Sequence, residues 1–136
     1  MCGIVGLFPY QDLGKKAEKV RQESMIFLAT ELLQLTQPRG KEATGIFALY
    51  DNCNYTGLKM GVSATEFINR FDDTKDSYKG FVNTWRENVA KIVIGHCRKP
   101  STGFNETAGN RGAPLTDWLT NRLLIRLRRN FCPFGL

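Results

Sequence analysis

The sequence predicts an α+β domain built on a largely antiparallel sheet. Three observations predict it: short β-branched apolar runs stand near residues 2–8 and 91–98, one long amphipathic stretch follows the first of them, and turn residues between two strand-type segments mark a hairpin. Hairpins mixed with helices, rather than strand and helix in strict alternation, place helices against an antiparallel sheet.

The elements follow in order. "CGIVGLF" is short, apolar and bounded by Pro9, and reads as a buried strand. "KKAEKVRQESMIFLATELLQLTQ" sets Val20, Met25, Leu28, Leu32 and Leu35 apart from its charges and stops before Pro38 and Gly40, which predicts an amphipathic helix with that stripe inward. "TGIFALY" and "YTGLKMGV" flank "DNCN" and predict the hairpin. Ser63 and Glu66 have capping-box spacing, so a helix begins there. "DDTKDSYKG" reads as a solvated loop, "FVNTWRENV" as a second short helix and "KIVIGHCR" as another buried strand. The segment "KPSTGFNETAGNRGAP" then has the composition of a loop.

At 136 residues, 42% hydrophobic and 24% charged, the chain suits one folded domain, residues 1–136, with a modest core. No repeat or linker divides it. No stretch approaches the roughly 18 apolar residues of a membrane span and no basic leader precedes an apolar run, so the cytoplasm is the expected compartment and no membrane partner is expected. Much of the net charge of +6 comes from Arg122, Arg126, Arg128 and Arg129 in "NRLLIRLRRN". Neither an aromatic stacking platform nor a nucleic-acid motif accompanies them, so nucleic acid is not an expected partner.

Cys2, Cys53, Cys97 and Cys132 are too widely spread for a CxxC pair, and His96 is the sole histidine, so no metal site or other cofactor is expected. Cys53 and Cys97 read as turn or packing residues. Cys2 is different. A thiol attacks only when deprotonated, and a free cysteine, with a pKa of about 8.5, needs a base. Removal of Met1 would leave the α-amine, whose pKa is roughly 7.7 to 8.0, on the same residue, where it can take the thiol proton directly or through one water. His96 is then not needed as the base.

"MCGIVGLF", "RGKEATGI" and "IGHCRKPSTG" occur in the order and approximate spacing of the class II glutamine amidotransferases, and the chain from Met1 to about Gly109 resembles that family. The resemblance implies an Ntn-hydrolase-like αββα sandwich with mainly antiparallel sheets. It implies glutamine as substrate: the mature Cys2 attacks the side-chain amide, ammonia leaves, and water releases glutamate from a thioester. Arg39 would shape the glutamine pocket, with Gly40, Thr44 and Gly45 in the same element. Arg98 would hold the α-carboxylate by bidentate hydrogen bonds, with Ser101 and Thr102 as further donors. Gly3 and His96 are expected beside the site in a structural role.

The family pattern fades after that. "NETAGNRGAPL" approximates the next element, with Asn110 and Pro114 separated by "RGA", and "RLLI" runs into "RLRRN" where the family has an oxyanion-forming Asn-Gly. The acidic residue that binds the α-amine has no counterpart. The expectation is a domain incomplete at its C-terminus, with 111–136 a divergent basic tail and the ammonia-accepting synthase domain or subunit absent from the chain. Two functions follow: a glutaminase, or a catalytically inactive amidotransferase-like binding module whose basic tail meets a partner or nucleic acid.

Overall fold

The computed structural model describes residues 2–9, 14–70 and 76–99. Strand β1 (Cys2–Leu7) is followed by helix α1 (Lys15–Thr36), a single 3-10 turn (Gln37–Arg39), the hairpin β2 (Ala43–Tyr50) and β3 (Tyr55–Met60), helices α2 (Ala64–Asn69) and α3 (Tyr78–Arg86), and strand β4 (Ala90–Arg98). The four strands form one antiparallel sheet in the order β1-β4-β2-β3. The architecture is α+β. No described helix is long and apolar enough to cross a membrane.

All three helices contribute to one core against one face of the sheet. Met25, Ile26, Ala29 and Leu33 of α1 meet Ile46, Ala48 and Tyr50 of β2 and Val93 and Cys97 of β4, while Phe67, Phe81 and Trp85 close the core from α2 and α3. Strand side chains alternate between faces. The opposite face therefore carries Cys2 and Ile4 from β1, Ile94, His96 and Arg98 from β4, Ala43, Gly45 and Phe47 from β2, and Lys59 from β3.

Two packing expectations are corrected. The strand at "CGIVGLF" is not buried: β1 pairs with β4 alone among the described strands, and Ile4 and Phe8 are 66% and 62% exposed. Its Gly3, Val5 and Leu7 alternate toward the helices, so an all-apolar run here serves one covered face and one open one. The inward stripe of α1 is also different. Of the five residues expected there, Met25 alone is buried, whereas Val20, Leu28 and Leu35 are exposed. The buried row is Gln22, Met25, Ile26, Ala29 and Leu33.

The reason is polar chemistry within the core. Gln22 Oε1 accepts from Trp85 Nε1–H at 2.7 Å and from the Ala90 amide at 3.0 Å, and its Nε2 donates to the Ala90 carbonyl and to Glu18. A satisfied glutamine thus joins α1, α3 and the start of β4, and its polarity hides the true face from a hydrophobicity pattern.

Local signals place the other boundaries. Pro38 cannot continue the α1 hydrogen-bond ladder, and the chain tightens into the 3-10 turn. Ser63 caps α2 by accepting from the Glu66 amide, and Ser77 caps α3 by accepting from the Gly80 amide. Cys53 occupies the hairpin turn at a φ of 63° and is disulfide-bonded, which corrects the expectation of a plain turn or packing thiol.

Candidate functional site around Cys2 and Arg98

The site is assembled by strand register. Cys2 opens β1 opposite Arg98, which closes β4, and Arg98 also lies opposite Ala43 of β2. Residues directly opposite in an antiparallel pair share a face with their Cβ atoms about 5 Å apart. Cys2 and Arg98 are therefore lateral neighbours on the face turned away from the helices. The Cys2 thiol is free and exposed.

One register step further along that face, Ile4 stands opposite His96, His96 opposite Gly45, and Gly45 opposite Lys59. The imidazole lies over Gly45: a β-carbon there would stand 2.6 Å from His96 Cε1 and 3.0 Å from Nδ1. The ring is thus turned toward β2, away from β1 and Cys2. Burial, then the charges of Arg98 and Lys59, push the imidazole below the usual histidine pKa and keep it neutral. That suits a packing role.

Glycines make the close approaches. A β-carbon on Gly40 would lie 2.7 Å from Arg98 Cα and 2.5 Å from the Lys99 nitrogen, so the turn after α1 passes against the end of β4 only because residue 40 has no side chain. The Glu42 amide donates to the Arg98 carbonyl at 3.3 Å and closes the same junction. Arg39, the residue before Gly40, ends the 3-10 turn that touches both β1 and β4. Arg39, Gly40, Cys2 and Arg98 consequently share one end of the sheet. Gly3 backs onto the last residue of α1, with a β-carbon position 2.8 Å from Thr36 Cβ.

Thr44 faces the helices, and its hydroxyl donates to the Val62 carbonyl at 2.9 Å. Cys97 is buried on that side too, a packing residue whose thiol donates to the Leu33 carbonyl at 3.4 Å. Ser101, Thr102, Asn110, Pro114 and the basic tail 111–136 lie outside the described residues. Among the described residues, no group of three His, Cys, Asp or Glu side chains is placed to hold a metal ion.

Sequence reasoning missed Thr36 and Glu42. Thr36 continues the buried row of α1, three residues after Leu33, and that spacing was its available signal. Glu42 carries no comparable sign, because its contact with Arg98 depends on strand order.

Chemically, the arrangement offers an exposed thiol beside a guanidinium, with a neutral imidazole and a lysine in the adjoining row. It can bind a carboxylate next to a nucleophile.

No family model matches this chain, and no curated protein matches it. A solved structure described as a complex of beta-clamp processivity factor and little finger domain of PolIV is similar over 80% of this chain and 99% of that chain, with a TM-score of 0.40 and 15% identity. At that score neither fold nor function is carried across.

Proposed function

We propose that the chain is a glutamine-hydrolysing domain of the class II amidotransferase kind, with Cys2 as its nucleophile once Met1 is removed. The observation that carries this reading is the register pairing of Cys2 with Arg98. Two residues separated by almost the whole described chain become lateral neighbours, and they are the two that the resemblance assigns to attack and to carboxylate binding.

Arg98 holds the α-carboxylate of glutamine through its planar fork. Arg39 borders the pocket from the turn after α1, and Ser101 and Thr102 add carboxylate donors. The α-amine of Cys2 accepts the thiol proton, and the sulfur attacks the side-chain amide carbon. The C–N bond breaks, and the departing nitrogen takes that proton and leaves as ammonia. A γ-glutamyl thioester remains. Water, activated by the same amine, attacks the thioester carbon and releases glutamate and the thiol. The ammonia serves a synthase domain or subunit that accepts it.

The one-sided packing of α1, α2 and α3 supports an Ntn-hydrolase-like sandwich, in which a second sheet layer would lie on the Cys2 face. The test is release of glutamate from glutamine by Met1-free protein beside Cys2→Ala. Release that depends on Cys2 is expected, and equal release by both proteins would refute the reading.

A further inference from the structure

Behind the Cys2↔Arg98 pair lies the pair Gly3↔Cys97, and Thr36 meets both members. A β-carbon on Gly3 would stand 2.8 Å from Thr36 Cβ, 3.2 Å from its Cγ2 and 3.3 Å from its carbonyl oxygen. Thr36 Oγ1 lies 3.5 Å from Cys97 Sγ. Its single hydrogen is directed to the carbonyls of Leu32 at 2.8 Å and Leu33 at 3.0 Å, so the rotamer is held by the helix itself. The methyl and Cβ of Thr36 thus fill the space that Gly3 leaves empty, one residue from the thiol.

The geometry points to Thr36 as a positioning residue for Cys2: a wedge at the end of α1 that sets the height of β1 at Gly3 and keeps the thiol level with Arg98. This rests on the glutaminase reading above. Cys2 is the first residue of its strand, so its placement is inherited from Gly3. Gly3 is buried, and it sits against a threonine whose side chain is anchored. A reacting group displaced by about 1 Å can lose about a hundredfold in rate.

The test compares two labelling rates at Cys2 in Met1-free protein. The glutamine analogue 6-diazo-5-oxo-norleucine requires the pocket and the attack together: the sulfur takes the diazo carbon, which gains a proton as N2 leaves. Iodoacetamide requires only an accessible thiol, which displaces iodide. Thr36→Ala is expected to slow the analogue at least about tenfold while iodoacetamide stays within about twofold. Thr36→Val keeps the wedge and restores most of the analogue rate, whereas Thr36→Ser, which keeps the hydroxyl and lacks the methyl, does not.

Wild-type rates with both reagents in Thr36→Ala would overturn the inference. So would equal slowing of both, which marks a change in the thiol's own reactivity rather than in its placement, or a slowed analogue in Thr36→Ala protein whose urea midpoint shows that it is unfolded under the assay conditions. A wild-type protein labelled by iodoacetamide and never by the analogue would instead bring down the glutaminase reading and the positioning role with it.

Discussion

Gly40 and Arg98 touch backbone to backbone: a β-carbon on Gly40 would lie 2.7 Å from Arg98 Cα. The contact locks the turn after α1 against the end of β4 and brings Arg39 to the strand that bears Arg98. Backbone atoms cannot swing aside as a side chain can, so Gly40→Ala must separate the two segments. A loss of about 1–3 kcal/mol is expected from the overpacking, read as a lower urea midpoint, with thiol labelling by the glutamine analogue slowed as well. Wild-type values in both assays would show that the junction is loose.

His96 makes stability depend on pH in a defined direction. Its folded-state pKa is lowered by burial and by the charges of Arg98 and Lys59. Above about pH 6.5, the ordinary histidine value, the ring is neutral in both folded and unfolded chains and its contribution is constant. As the pH falls below that value toward the lowered folded pKa, the unfolded chain binds a proton that the folded chain resists, and stability is lost. Urea midpoints taken from about pH 7.5 down to about 5 should fall with acidification, and His96→Gln should flatten the fall. An unchanged slope in the variant would contradict the burial of this ring.

Gln22 is the second buried polar commitment. Gln22→Leu leaves the Trp85 indole N–H and the Ala90 amide without their acceptor. At about 1–3 kcal/mol per unsatisfied group, a destabilisation of about 2–6 kcal/mol is expected by urea denaturation. Breaking the exposed Arg86–Glu23 pair should matter far less. Equal effects would mean that the network does not hold α1, α3 and β4 together.

Arg98→Lys preserves the charge and removes the fork. If the guanidinium grips a carboxylate, KM for glutamine should rise about tenfold or more with a smaller change in kcat, in line with the roughly 1.5–3 kcal/mol of a hydrogen bond to a charged group. An unchanged KM would remove Arg98 from substrate binding.

Much of the element order was legible because its signals are local. The hairpin, the serine cap at Ser63 and the stop at Pro38 each depend on neighbouring residues, and each is found. The packing of α1 was less legible, because Phe27, Leu28 and Leu35 remain outside while Gln22 goes in, and only its distant partners Trp85 and Ala90 explain that. β1 misled for a related reason: an apolar hexapeptide reads the same whether one face is covered or two. At the site, Cys2 and Arg98 could be named from motifs, yet their adjacency follows from the order β1-β4-β2-β3, which joins opposite ends of the described chain. The spacing of Thr36 from Leu33 could place it on the covered face of α1, but its approach to Gly3 is reached only through the fold.

Intact-protein mass spectrometry after exposure to 6-diazo-5-oxo-norleucine asks whether Cys2 is a glutamine-directed nucleophile. One adduct is expected on Met1-free protein, located at Cys2, suppressed by excess glutamine and missing from Cys2→Ala. Folded, Met1-free protein that iodoacetamide labels at Cys2 and the analogue does not would contradict that role.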